Sequence, residues 1–300
     1  MANLRQIRSR IRSVHNTQKI TRAMQMVAGA KLRRAQEQLF QARPYVDRLE
    51  QITQRFLAAV PNLSHPLLTA APAAKDDDTQ TEGKPPAPTA LIVIASDTGL
   101  CGAYNEKVLT TAQEVFGEAL TAAPAQVVPV GRKGLAAARR MGWPILASYT
   151  ELGGKITEAF IQELAGAMMT AYREGRVSGV RVIYTKFLSA LSWRPTVEPW
   201  LPLAVSQQMD PAMAERYIFE PEPAAIAEQL LPSFATAKLR RLLLEAVTSE
   251  HSARMVAMKA ATDNASEMID TLTLLRNKVR QASITKEISE ITAGAEALKS

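Results

Sequence analysis

The stretch ATDNASEMIDTLTLLRNKVRQA, residues 261–282, decides how the chain folds. Within it Ala261, Ala265, Met268, Leu272, Leu275, Val279 and Ala282 recur at alternating spacings of four and three, the apolar seam of a left-handed coiled coil. A helix with such a seam needs a partner. Working outward, Leu239, Leu242, Ala246, Ala253, Val256 and Ala260 form an earlier run in another register. Ile284, Ile288, Ile291, Ala295 and Leu298 form a later one. The stripe therefore steps around one helix, predicted from Ala224 to about Lys299. Pro223 suits a first turn, where its missing N–H costs nothing, and Pro232 predicts a bend near the start.

The other chain end repeats the device. Leu4, Ile7, Ile11, Val14, Ala28, Leu32, Ala35, Leu39, Ala42, Val46, Leu49, Phe56 and Val60 keep one heptad register. A polar interval at Gln18, Thr21 and Gln25 interrupts it, with Ile20, Met24 and Val27 turned sideways. Pro44 predicts a kink or a break around Arg43. Two long helices flanking a globular segment pair most simply with each other, antiparallel if that segment's ends lie close together. At 1.5 Å per residue they span roughly 85 and 110 Å, so the second outruns the first. The surplus carries Ile284 to Leu298, an apolar tip suited to insertion into another protein.

Composition narrows the function. With 47% hydrophobic residues in 300, the chain has ample material for a core, which excludes disorder. Cys101 is the only cysteine, so no intrachain disulfide forms, and His15, His65 and His251 lie too far apart for chelation on one element. No run of eighteen apolar residues predicts a transmembrane helix. Residues 1–36 hold nine Lys or Arg and no acid, the composition of a transit peptide, but the heptad runs past them to Val60 and makes them part of a structural helix. A net charge of +7 suits nucleic acid, acidic lipid or acidic protein walls.

Between the helices, 61–89 is rich in Pro, Ala and Thr and reads as a linker or mobile loop. Residues 90–205 alternate apolar runs with helical ones: strands at Leu91–Ala95, Gln126–Val130 and Val180–Leu188, helices at Ala103–Leu120, Lys133–Met141 and Lys155–Arg173. This predicts an α/β fold, a central doubly wound (Rossmann-like) domain with a mostly parallel sheet. Thr196–Val205, broken by Pro199 and Pro202, predicts an irregular edge strand or a connection, and 206–223 connects to the C-terminal helix of 224–300. The turn from Ser96 to Gly102 matches neither phosphate-binding glycine pattern, so Gly99 and Gly102 read as turn glycines. No residue set has spacing that identifies a catalytic, cofactor or metal site.

Several stretches resemble the gamma subunit of F-type ATP synthases. Ile284-Thr285-Lys286-Glu287-Ile288-Ser289-Glu290-Ile291-Thr292-Ala293-Gly294-Ala295-Glu296-Ala297 fits the family pattern I-T-x-E-x-x-[DE]-x-x-x-G-A-x-[SAKR] at every specified position. Ala253 to Asn264, Arg280 to Ser283, Ile7 to Ile11, Asn16 to Met24 and Ser96 to Gly102 are also typical of it. The resemblance implies a noncatalytic rotor shaft: an antiparallel coiled coil inside a hexamer of alpha and beta subunits, with the middle domain near the epsilon subunit and the c-ring, one copy per complex. It implies beta-subunit contacts at Met24, Arg280, Gln281, Thr285 and Glu287, and a hydrophobic bearing at Ile288, Ile291 and Leu298. The unremoved basic helix then implies a bacterial source, peripheral on the cytoplasmic side of the inner (plasma) membrane. The redox-regulated chloroplast form would need a cysteine pair. Taken without the resemblance, Arg280 reads as a solvated helix charge, Met24 as a seam filler and the isoleucines as packing against another domain. Two rivals remain at this level: a basic coiled-coil protein that tracks nucleic-acid phosphates, and an enzyme on the α/β domain.

Overall fold

The computed structural model describes residues 4–68, 87–122, 124–203 and 219–297. Much of the predicted linker, most of the predicted connection and Leu298 lie outside them. The elements are α1 (Leu4–Ala59), β1 (Thr89–Ile94), α2 (Tyr104–Ala122), β2 (Ala125–Val130), α3 (Arg132–Arg140), α4 (Glu158–Arg173), β3 (Gly179–Ser189), β4 (Ser192–Leu201) and α5 (Pro223–Ala297). They fall into two compact units, Met1–Gly29 with Arg254–Ser300, and Ala30–Ala253, so that α1 and α5 each contribute to both.

In the larger unit the sheet has the order β2-β1-β3-β4, with β1 parallel to both β2 and β3 and β4 antiparallel to β3. The continuous apolar run of β1 serves two covered faces. Ala90, Ile92 and Ile94 pack with α4 and α5, while Leu91 and Val93 pack with α2 and α3. β4 is the irregular edge strand expected, slipping in register against β3 between Val180 and Arg181 and between Phe187 and Ser189. It starts at Ser192 and tolerates Pro195 and Pro199 because it is the sheet's edge, where an outward-directed nitrogen removes no ladder bond.

Helix α5 is buried on nearly all sides from Phe234 to Ala253. Its polar groups there are used as fasteners. Ser249 Oγ donates to the Thr185 carbonyl at 3.0 Å, and the carbonyls of Ala235 and Ala246 accept from Trp200 Nε1 at 2.8 Å and the Tyr104 hydroxyl at 3.2 Å. The guanidinium of Arg43 reaches Glu245 at 3.2 Å and the Phe187 carbonyl at 3.3 Å, tying α1, α5 and β3 together.

Neither proline breaks its helix, so of the two readings of Pro44, a kink or a break, the break is not made. Pro44 is exposed, so the Phe40 carbonyl it leaves without an N–H is open to water, while Leu39 and Val46 are both fully buried. The packing of those two leucine and valine side chains holds the helical path.

In the smaller unit α1 and α5 run antiparallel. Thr21 meets Thr262 and Gly29 lies against Met255, so partner numbers sum to 283 or 284. The α1 seam follows the predicted register: Ile7, Thr21 and Ala28 are buried, and Leu4, Ile11, Val14, Gln18 and Gln25 half-buried. The α5 seam is shifted. Its inward positions are Met258, Thr262, Ala265, Ile269, Leu272, Arg276 and Val279; Ala265, Leu272 and Val279 belong to both stripes, and Ala261, also expected in the seam, is half-buried beside Thr262. Met268 and Leu275, expected in the seam, are 48% and 41% exposed, and Val256 and Ala260 also turn outward. The cause lies in the partner: α1 presents polar Gln18, Thr21 and Gln25 at this level, and Thr262 answers them. Its hydroxyl donates to Thr21 Oγ1 at 2.8 Å, and the Thr21 hydroxyl donates to the Gln18 carbonyl at 3.1 Å.

Candidate functional site

With partner numbers summing to about 283, Leu4 lies opposite Val279, and among the described residues α5 has no partner beyond that point. From Gln281 to Gly294 every residue is exposed, which is the overhang expected from unequal helix lengths. The bare helix is held by its own side chains. Thr285 donates to the Gln281 carbonyl at 3.0 Å and Ser289 to that of Thr285 at 2.9 Å. Ser283 donates to Glu287 at 3.3 Å, and Lys286 pairs with Glu290 at 3.5 Å.

The apolar groups nevertheless point outward, Ile288 at 58% and Ile291 at 71% exposed. At about 100° per residue, Arg280, Gln281, Ile284, Thr285, Glu287, Ile288 and Ile291 fall within roughly 160° of the helix circumference. The opposite side carries Ala282, Ser283, Lys286, Ser289, Glu290 and Ala293. Spacing alone thus gathers the tip residues onto one face, with a cation and an anion beside three isoleucines. Water gains nothing from such a face, and another protein's surface does.

Met24 does not join that group. Its level on α5 is near Lys259, about 30 Å along the helix from Arg280 at 1.5 Å per residue. It is half-buried, between exposed Ile20 and Val27 in an i, i+4, i+7 stripe on the outside of α1. Met268, Leu274 and Leu275 of α5 are exposed apolar residues in the same unit that periodicity alone misses, because two overlapping heptads share Ala265, Leu272 and Val279. The charge is one-sided too. Residues 4–29 carry six basic side chains, Arg5, Arg8, Arg10, Arg12, Lys19 and Arg22, all exposed, and no acid.

In the α/β domain the crevice at the carboxyl ends of β1 and β3 is where a doubly wound fold would take a ligand. Beside it, at the carboxyl ends of β1 and β2, the protein's own carboxylate gathers backbone amides. Asp97 accepts from the backbone amides of Arg132 and Glu151 through Oδ1 at 3.0 and 3.1 Å, and from that of Gly153 through Oδ2 at 3.0 Å. The first of these is the N-terminus of α3, a natural anion site. Partial burial would raise the Asp97 pKa, but the three amides and the Arg132 charge outweigh it and hold the group below its ordinary 3.8. Gly131 completes the cradle: at φ 93° it passes so close to Ala95 that a Cβ would lie 2.2 Å from that carbonyl oxygen. Among the described residues no cluster of three His, Cys, Asp or Glu side chains is placed to hold a metal, and no helix is long and apolar enough to cross a membrane.

A two-helix coil with one bare apolar end, together with an α/β unit that shows no metal cluster among the described residues, defines a coiled-coil subunit that acts through contacts with other chains. The comparisons specify which. A family model described as ATP synthase matches residues 3–298. The ATP synthase gamma chain of Moorella thermoacetica is 44% identical over the full length of both chains, and that of Heliobacterium modesticaldum 41% identical over 99% of this chain and all of its own. A chain in the central stalk and c-ring structure of the Tetrahymena thermophila mitochondrial ATP synthase is 25% identical, with a TM-score of 0.58 over 81% of this chain and 99% of that one. A chain of the Euglena gracilis mitochondrial enzyme shares the fold at a TM-score of 0.66, with 18% identity, over 98% and 94%. The chain belongs to the ATP synthase gamma chain family.

Proposed function

We infer that this chain is the central rotor shaft of a proton-translocating F-type ATP synthase, a noncatalytic subunit that carries torque between the c-ring and the alpha/beta hexamer. The observation that carries this is the identity with gamma chains along the whole sequence, which includes the bare helix end. The chemistry takes place in other subunits. An asymmetric shaft contacts three beta subunits differently, so each holds its nucleotide with a different affinity, and rotation carries each through the sequence of states. A contact equal in every state would shift nothing.

Finer assignments follow as proposals. Arg280, Gln281, Thr285 and Glu287 meet beta-subunit loops from the tip face, and Met24 meets a beta subunit lower on the shaft. Ile288, Ile291 and Leu298 turn inside a hydrophobic bearing. Residues 1–60 and 224–300 form the shaft, 90–205 the domain that faces the epsilon subunit and the c-ring, and 61–89 and 206–223 the segments between. One copy serves each complex, at the cytoplasmic side of a bacterial plasma membrane. The six exposed basic residues of 4–29 face acidic walls in the hexamer.

Coexpression with alpha and beta subunits from the same source tests the reading, by native mass and ATPase rate, with a truncation after Val279 for comparison. The expected result is one copy per hexamer and impaired activity or assembly on truncation. A chain that stays apart from the hexamer would overturn it.

A further inference from the structure

In the larger unit, where α1 ends and α5 begins, lies a cavity of about 330 Å³. Its floor is apolar: Phe56 and Phe219 meet edge to face at 5.5 Å, with Ile226 and Leu230 beside them. Its rim is formed by Arg48, Ile52 and Arg55, spaced i, i+4, i+7 and so on one face of α1. The acids of this part of the helix are engaged elsewhere, Asp47 and Glu50 both with Arg241 at 3.6 and 3.9 Å. Arg48 meets the Gln51 carboxamide at 3.3 Å, and neither rim arginine has an acidic partner among the described residues. An oily floor under two available guanidinium groups is the complement of an anion with an alkyl tail.

We propose that this cavity binds one single-chain carboxylate amphiphile, a medium-chain fatty acid anion, with its tail on the phenylalanines and its carboxylate on Arg48 and Arg55. An enclosed apolar cavity of about 150 Å³ holds one benzene, so a cleft of about 330 Å³ has room for a single chain of about twelve carbons. The carboxylate fits because a planar guanidinium binds it in two parallel hydrogen bonds, which an alcohol cannot match. This assignment does not rest on the rotor function.

The test is calorimetric titration of the purified full chain with dodecanoate below its micelle-forming concentration, alongside dodecanol and dodecyltrimethylammonium. The expected result is one dodecanoate per chain. Dodecanol, and dodecanoate on the Arg48→Gln/Arg55→Gln variant, should bind about tenfold more weakly or worse, since a charge-assisted bond is lost. The cationic amphiphile should be weakest, and Leu230→Trp, which fills the cavity, should abolish binding of all three. The arginine substitutions lie on the surface rim, and an unchanged Tm verifies that the variant is folded. Equal affinity for dodecanoate in parent and arginine variant, or no binding by the parent, overturns the proposal. So does flotation of the parent with phosphatidylglycerol vesicles, lost in the arginine variant, without dodecanoate binding, because the arginines would then serve a membrane surface.

Discussion

Asp97 shows how one side chain ties a strand end to backbone far along the chain. Its carboxylate gathers the first amide of α3 and those of Glu151 and Gly153 at the carboxyl ends of β1 and β2. Asp97→Ala should cost about 1–2 kcal/mol, with the lost charge-assisted bonds discounted for solvent exposure, and added sulfate or phosphate should restore part of the lost Tm. Because the folded pKa is depressed, the carboxylate's contribution is complete above 3.8 and falls away as pH drops through the folded value. The Tm gap between parent and Asp97→Asn should therefore close in that acid range. Glu245 has the opposite sign. Burial pushes its carboxyl up more than Arg43, Lys186 and Arg241 pull it down. Arg43→Ala should destabilise by about 2–3 kcal/mol at neutral pH, since a buried carboxylate loses its partner. That loss should ease on acidification, because the further raised group is protonated in the fold. Replacing both residues, as Arg43→Met with Glu245→Leu, should cost less than Arg43→Ala, by denaturant titration.

Among the elements, the coiled coil separates what a sequence shows from what it hides. The α1 register was legible from Leu4 to Val60 because one heptad fits it throughout, and even its polar interval stayed in phase. The α5 register was not, since the stripe through Met268 is apolar at every position while the stripe through Ile269 includes Thr262 and Arg276, so apolar content favours the stripe that is not used. Only the partner's Thr21, hydrogen-bonded to Thr262, distinguishes them. Pairing is a property of two helices, and periodicity reads one. The strands were legible from apolar runs, whereas β4 was blurred by prolines that an edge tolerates. The tip residues were found through a motif and then gathered onto one face by helical geometry. The Asp97 cradle was invisible, because its three donors come from loops distant in sequence. At this level Thr21→Val with Thr262→Val should be neutral or raise Tm, because both ends of a polar pair leave together for groups of the same shape. A clear loss of Tm would mean that the polar interval stabilises the coil.

At the scale of the whole molecule, charge decides how the chain meets its partners. The net +7 is uneven: the first stretch of α1 is acid-free, while residues 281–297 hold Lys286 against Glu287, Glu290 and Glu296. A basic shaft should be steered toward acidic walls, with an effect that fades as salt screens it. Arg8→Glu with Arg12→Glu should slow reconstitution of the hexamer severalfold at low ionic strength and less at high. Stopped-flow light scattering across a salt series would read it, and an unchanged rate would remove the acidic-wall proposal. The end of α5 has a mechanical consequence as well. Two helices locked side by side resist twisting and bending together, whereas the single strand beyond Val279 has only its own hydrogen bonds and i, i+4 pairs to oppose deformation. Under load the chain's compliance concentrates there, and stiffness in use is left to whatever protein surface the apolar face meets.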